Sequence, residues 1–119
     1  MKLRIHGNSL RLRVSEADLA GLRWKGRLEY WMGLGPGRRF TYSIEAGGNA
    51  ERITALYESD SLTVLMPREW IERWGPDGDV RFESMQDIDG DQQLHIVVEM
   101  DMPCEHDRQE QSTSDKAAA

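Results

Sequence analysis

The chain carries one pattern of apolar residues twice, and the second copy lies 52 positions after the first. Leu12 and Leu22 in the first half correspond to Val64 and Trp74 in the second. Because the spacing of buried positions specifies a fold more strongly than residue identity does, this pattern predicts one small unit repeated in tandem. The other matched pairs are Leu10 with Leu62, Val14 with Met66, Leu19 with Ile71, Leu28 with Val80, Tyr30 with Phe82, Tyr42 with Leu94 and Ile44 with Ile96.

Each copy is predicted to form a hairpin, a short helix and a second hairpin. In the first copy, polar and apolar residues alternate over 2–6 and 10–14, on either side of a turn at Gly7–Asn8. Ser15 is a suitable helix N-cap, and Asp18 three residues later completes a capping box. The predicted fold class is therefore mainly β with two short helices, built from two ββαββ units.

The length of 119 residues suits a single domain. We expect repeats at 1–46 and 53–101, a linker of small residues at 47–52, and a disordered polar tail at 102–119, where the periodicity is lost. A single cysteine, Cys104, excludes an internal disulfide, and no apolar run is long enough to span a membrane. These features predict a cytoplasmic protein without membrane contact.

Short motifs in both copies resemble the swapped-hairpin domains of the AbrB and MazE family of bacterial transition-state regulators and antitoxins. The first copy has Gly7–Asn8–Ser9, followed by alternating residues and an arginine just before the helix. The second has Val64–Leu65–Met66–Pro67 before its helix and Gly78–Asp79–Val80 after it. The whole chain also resembles a bacterial family without an established activity that opens with K-[LI]-R-I-x-G-N-S, here beginning at Lys2.

The resemblance to AbrB and MazE implies a pseudo-twofold swapped-hairpin barrel formed within one chain. One ββαββ unit is too small to bury its own sheet faces, so two fused copies are expected to act as a monomeric pseudo-dimer. The resemblance also implies a non-enzymatic protein that contacts DNA through Arg4, Asn8, Ser9 and Arg13.

A basic stripe is predicted on one face of the first hairpin, opposite its apolar residues. Four permanent cations on one face can neutralise phosphates, which favours nucleic-acid binding. Alternatively, these cations pair with Glu29, Glu45, Glu83, Glu99 or Asp101 on neighbouring strands. Residues 1–50 contain nine Lys or Arg and four Asp or Glu, whereas residues 51–119 contain six and seventeen, so an acidic protein surface is a further possible partner. The stripe consists of Lys2, Arg4, His6, Arg11 and Arg13.

Trp31 falls on the outward parity of its predicted strand, whereas Trp70 and Trp74 lie at helical spacing and are predicted to be core residues. An outward tryptophan is a candidate anchor for a protein partner, although it is also compatible with a position under the linker or a helix. The alternative to a DNA-binding protein is therefore a protein-interaction module that uses Trp31 and does not bind DNA.

No pattern in the sequence predicts catalysis, a metal or a cofactor. Cys104 and His106 provide too few ligands for zinc. The acidic turn at 87–91 lacks the closing glutamate of a calcium loop. No phosphate-binding loop, dinucleotide-binding glycine pattern or Ser/His/Asp arrangement is visible, so we expect a protein that is not an enzyme.

Overall fold

A computed structural model describes residues 1–47 and 51–101, which form eight strands and two helices. The predicted tail, with Cys104 and His106, lies outside the described residues, as do positions 48–50 of the predicted linker. In chain order the elements are β1 (Lys2–His6), β2 (Ser9–Val14), α1 (Glu16–Lys25), β3 (Arg27–Gly35), β4 (Arg38–Gly47), β5 (Thr54–Glu58), β6 (Ser61–Pro67), α2 (Arg68–Arg73), β7 (Arg81–Asp89) and β8 (Gln92–Met100).

The strands form two four-stranded sheets, in the orders β1-β2-β8-β7 and β3-β4-β6-β5. Each sheet joins the first hairpin of one half of the chain to the second hairpin of the other half. The central pairs, β2 with β8 and β4 with β6, are parallel, and the outer pairs are antiparallel. A mainly β fold with two short helices is thus confirmed. Neither sheet closes on itself, so the predicted barrel is not confirmed.

The two halves have the same order of elements and the same hairpin registers, but not at one constant separation. In the first hairpins, the pair Lys2 and Arg13 corresponds to Thr54 and Leu65, which lie 52 positions later. In the second hairpins, Arg27 with Glu45 corresponds to Arg81 with Glu99, which lie 54 positions later. The segment from the start of α2 to the start of β7 is therefore two residues longer than the segment from the start of α1 to the start of β3.

This change of separation corrects the matches predicted for the second hairpins. Leu28 corresponds to Phe82 instead of Val80, and Ile44 corresponds to Val98 instead of Ile96. Val80 lies just before β7 and is partly exposed, so it is not the inward residue that the uniform separation predicted. The other positions keep their predicted inward or outward orientation, because side chains alternate with a period of two residues along a strand and the shift is two residues.

The core lies between the two sheets, and every central strand contributes to it. The register places Leu12 against Val98 in one sheet and Ile44 against Val64 in the other, and all four side chains are fully buried. Trp74 is fully buried as well. The assignment of Trp74 to the core is therefore confirmed, whereas Trp70 is partly buried and packs against the core, where it stacks on Phe82 with ring centroids 5.3 Å apart.

The start of α1 is fixed by the predicted capping box and by a further contact to β3. The Oγ of Ser15 accepts from the backbone N–H of Asp18, and the Asp18 carboxylate accepts from the backbone N–H of Ser15, both at 3.1 Å. The hydroxyl of Tyr30 donates to Asp18 at 2.5 Å. Burial would raise the pKa of Asp18, but hydrogen bonds from the terminal amine, Tyr30 and Ser15 lower it to about 2. The bond to Asp18 raises the pKa of Tyr30 to about 12.

Arg23 connects α1 to the end of α2. Its guanidinium donates to the carbonyl oxygens of Ile71 and Glu72, each at 3.4 Å, and to that of Trp74. Carbonyls at the end of a helix lack partners within the helix, and this arginine supplies donors to them, although the Ile71 carbonyl also accepts from the backbone N–H of Trp74. The first half of the chain thus caps the helix of the second half.

Because each sheet contains hairpins from both halves, we predict that the chain unfolds in a single transition. Leu12→Ala should lower the free energy of unfolding by about 3 kcal/mol, because it leaves a cavity in the shared core. Leu56→Ala, at an exposed position on β5, should change it by less than about 0.5 kcal/mol. Urea denaturation followed by tryptophan fluorescence and by far-UV circular dichroism tests this, and separate transitions for the two probes would contradict it.

Candidate functional site

The predicted basic stripe lies on the outer face of the first sheet. The register of β1 and β2 places Lys2 beside Arg13 and Arg4 beside Arg11, while His6 lies beside Ser9. The opposite face carries buried Leu10, Leu12 and Val14. The alternation along the two strands therefore gives one wet basic face and one core face, as the sequence predicted.

Glu99 of β8 is the central carboxylate of this face. It accepts from Arg13 Nε at 2.9 Å, and its carboxylate also lies 3.7 Å from Arg11 Nη1 and 3.9 Å from Arg81 Nε. Its side chain is only 15% exposed. Lys2 pairs with Asp101 at 3.6 Å between Nζ and Oδ2. Acids of the second half therefore pair with three cations of the stripe, which is the intramolecular alternative considered from the sequence.

Positive charge remains in excess on this face. Lys2, Arg4, Arg11, Arg13 and Arg81 share this face with four carboxylates, those of Glu83, Asp87, Glu99 and Asp101. The carboxylate of Glu83 bonds to His95 and pairs with Arg81, and these contacts lower the pKa of Glu83. Within 1–47 and 51–101, Arg4 has no carboxylate or hydrogen-bond partner. The face therefore has one excess positive charge, and Arg4 on the edge strand is the cation without a carboxylate partner in the described part of the chain.

Asn8 and Ser9 join the first turn to β8. Asn8 Nδ2 donates to the carbonyl of Gln93 at 3.1 Å, and Ser9 Oγ lies 3.3 Å from His95 Nδ1. These two predicted DNA-contacting residues are thus used in contacts within the sheet. The equivalent surface on β5 and β6 carries Thr54, Leu56, Thr63 and Leu65, so the basic face has no counterpart in the second half.

Trp31 lies on the outer face of β3, as predicted, and is 58% exposed. The guanidinium carbon of Arg39 lies 4.0 Å from the centroid of its ring, which is a cation–π contact. Gly33 lies beneath the indole, where a Cβ would be 3.8 Å from it. These contacts hold the ring in place without burying it.

The hairpin of β3 and β4 also carries an exposed apolar surface that the sequence analysis did not identify. Met32 is 50% exposed and Leu34 is 64% exposed. Tyr57 on β5, at the opposite edge of the same sheet, is 66% exposed. Phe40 and Tyr42 share the inner face with fully buried Ile44, but they are only partly buried and stack with ring centroids 6.0 Å apart. Strand length was the available signal, because nine- and ten-residue strands extend beyond the core. Trp31 lies on the outer face of this hairpin, whereas Met32, Leu34, Phe40 and Tyr57 lie on the inner face of the sheet. We call these five exposed or partly exposed residues, taken over both faces, the hairpin surface.

A shallow depression of about 230 Å³ lies within the hairpin surface. Leu34, Phe40 and Tyr57 form its apolar lining, and Arg38, Arg39 and Asp60 form its polar lining. The Tyr57 hydroxyl donates to Asp60 at 3.5 Å. In the residues that the structure describes, neither arginine has a carboxylate within ion-pair distance. The depression therefore offers aromatic surface together with two guanidinium groups that have no carboxylate partner among the described residues, of which that of Arg39 also contacts the Trp31 ring.

The chain matches, over residues 1–117, the model of a family of unknown function, DUF7009. The chain belongs to this family. No curated protein and no solved structure matches it. In residues 1–47 and 51–101, no helix has the length and apolar character needed to cross a membrane, and no group of three or more potential metal-binding side chains occurs.

The charge on Glu99 is expected to stabilise the fold because it offsets the repulsion among the surrounding arginines. Glu99→Gln should lower the free energy of unfolding by about 1 kcal/mol at low ionic strength, and high salt should reduce the loss. Glu29→Gln breaks an exposed pair with Arg27 and should cost less than about 0.5 kcal/mol. Urea denaturation of both variants at low and high salt gives the comparison, and a loss for Glu99→Gln that salt leaves unchanged would contradict an electrostatic role.

Proposed function

We propose that this chain is a non-catalytic protein-binding domain whose hairpin surface receives apolar side chains of a partner protein. The exposure of Trp31, Leu34 and Tyr57, each above one half, carries this proposal. Tryptophan, tyrosine, methionine and arginine are the residue types enriched at the centres of protein interfaces. Burying one such aromatic side chain contributes about 2 kcal/mol, so several together can support a stable complex.

The equivalent hairpin of the second half supports a specific role for this surface. At 54 positions after Tyr30 and Met32 the second hairpin has Ser84 and Gln86, whose side chains donate to backbone carbonyls of the neighbouring sheet. The fold therefore does not require apolar residues at these positions. Because the Tyr30 hydroxyl bonds to Asp18 at the start of α1, half-exposed Met32 is the position where this difference favours binding over structural support.

We also infer that the chain is a tandem duplication of an AbrB/MazE-like swapped-hairpin unit. The repeated ββαββ order, the matched registers and the exchange of hairpins between halves support this inference. A non-enzymatic role is consistent with such a unit. The inference adds no specific partner, because a shared fold does not specify a function.

Site-specific photo-crosslinking tests the proposed binding surface. A photoreactive phenylalanine analogue placed at Trp31 or Leu34 should form a discrete adduct with another protein in cells that express this chain naturally. The matched controls are Met85 and Ile88, which occupy the same hairpin positions in the second half and are also exposed. We expect no adduct at these controls.

Two outcomes would count against the proposal. Adducts of equal yield at all four positions would indicate non-specific contact. An adduct that contains only a second copy of the chain would indicate self-association instead of binding to another protein.

Nucleic-acid binding by the basic face is the second candidate, and the excess positive charge on that face favours it. Duplex DNA should then bind with an affinity that falls steeply as salt increases. Arg4→Ala should weaken binding, and Glu99→Gln should strengthen it by adding one net positive charge to the face. Arg68→Ala on α2 is the charge-matched control, because it removes one cation elsewhere. Equal weakening by Arg4→Ala and Arg68→Ala, or no binding at low salt, would exclude a site on this face.

A further inference from the structure

β1 forms an edge of the first sheet, and part of its backbone faces away from its partner strand. The two-residue turn between His6 and Ser9 sets the register, which makes Leu3 with Leu12 and Ile5 with Leu10 non-hydrogen-bonded pairs. The N–H and C=O groups of Leu3 and Ile5 therefore point outward. In the described part of the chain, no side chain or backbone group bonds to them.

The equivalent edge of the second sheet is capped. There the Nε2 of Gln86 donates to the carbonyl of Ala55 at 3.0 Å, and its Oε1 accepts from the N–H of Ala55 at 2.7 Å. Ser84 Oγ donates to the carbonyl of Ile53 at 3.2 Å. One glutamine thus makes both bonds that an added strand would make at Ala55.

The corresponding residues in the first half cannot cap β1. Met32 lies 54 positions before Gln86, and its thioether cannot reproduce the two bonds of an amide. Tyr30 corresponds to Ser84, but its hydroxyl donates to Asp18. Of two edges with the same register, one is therefore capped at Ala55 and the other is open at Leu3, the position that corresponds to Ala55. Ile5 and its counterpart Tyr57 both have no cap among the described residues.

We propose that β1 accepts an extended segment of a partner protein as an additional strand, and that this segment alternates acidic and apolar residues. The proposal rests on the protein-binding function above and specifies the chemistry of the segment. Main-chain bonds to Leu3 and Ile5 provide affinity, and alternate side chains provide selectivity, as in other cases of strand addition.

The side chains around this edge define the preferred sequence of the segment. One face of β1 presents Lys2, Arg4 and His6, and Arg4 has no acidic partner among the described residues. The other face presents Ile5, which is 62% exposed. An acidic residue above Arg4 and an apolar residue beside Ile5 complement these faces.

The charges on β1 also disfavour a second copy of this chain as the occupant. Antiparallel pairing of two β1 strands would place Lys2, Arg4 and His6 of each copy among the cations of the other. Like charges directly opposite one another destabilise a strand pair. An edge that disfavours its own copy remains available to a strand of opposite charge.

The test uses a synthetic eight-residue peptide that alternates glutamate and valine, with amide exchange measured by NMR. At saturation the peptide should slow exchange of the Leu3 and Ile5 amides at least about tenfold. Met32→Gln should weaken peptide binding by about tenfold or more, because it supplies the missing cap. Met85→Gln makes the same chemical change on β7 and should leave binding unchanged.

A variant of the probe tests the same point without altering the protein. N-methylation of the peptide amides that face β1 should abolish binding, because the methyl groups remove the donors that the edge requires. A peptide that alternates lysine and valine should bind at least about tenfold more weakly than the glutamate peptide.

Four results would overturn strand addition at β1: unchanged exchange at Leu3 and Ile5, unaltered binding in Met32→Gln, equal binding of the lysine peptide, or a dimer paired through β1. Specific crosslinks at Trp31 together with any of these results would leave the protein-binding function intact and reject only this mode of binding. If no crosslinks form at Trp31 or Leu34 but the peptide still slows amide exchange at Leu3 and Ile5, the hairpin surface is rejected as a binding site and strand addition at β1 is retained.

Discussion

The parallel pairing of β2 with β8 and of β4 with β6 is the constraint on which the rest of the structure depends. These two pairs join strands from opposite halves of the chain, so neither half can complete a sheet alone. The fully buried pairs Leu12 with Val98 and Ile44 with Val64 lie on these strands. The strand pairs that join the two halves therefore also carry the core, so a substitution that disrupts one half removes packing from both sheets.

The same pairing determines which charges meet. Glu99 reaches Arg11 and Arg13 because β8 lies beside β2, although about 86 positions separate them in sequence. A carboxylate shared by several guanidinium groups offsets their mutual repulsion and orients them, at the cost of partial desolvation. Arg4 lies one strand further from β8, beyond the reach of Glu99. The outermost strand consequently keeps the uncompensated charge.

Local patterns predicted the local structure well. Alternation predicted the hairpins, Ser15 and Asp18 predicted the helix start, and the spacing of Trp70 and Trp74 predicted their packing. The features that failed depend on information that periodicity does not contain. The two additional residues before β7 leave the inward or outward orientation of each strand position unchanged. A uniform separation of 52 therefore still matched apolar residues with apolar residues, although the matched positions were not structurally equivalent. The exposure of Met32 and Leu34 depends on where the core ends, and the pattern of inward residues along β3 and β4 does not mark that point.

The asymmetry between the two edges could not be found by comparing the halves at the level of hydropathy, because it depends on hydrogen-bonding capacity. Methionine and glutamine have similar shapes and lengths, but only the amide can satisfy an outward N–H and C=O together. An open edge is a liability for aggregation unless charge or bulk opposes pairing between copies. Lys2 and Arg4 supply that charge on β1, whereas β5, which is capped at Ala55, carries only Glu58. The half that lacks the cap is thus the half with the stronger charge, which is the combination expected where an edge is kept open for a strand of opposite charge.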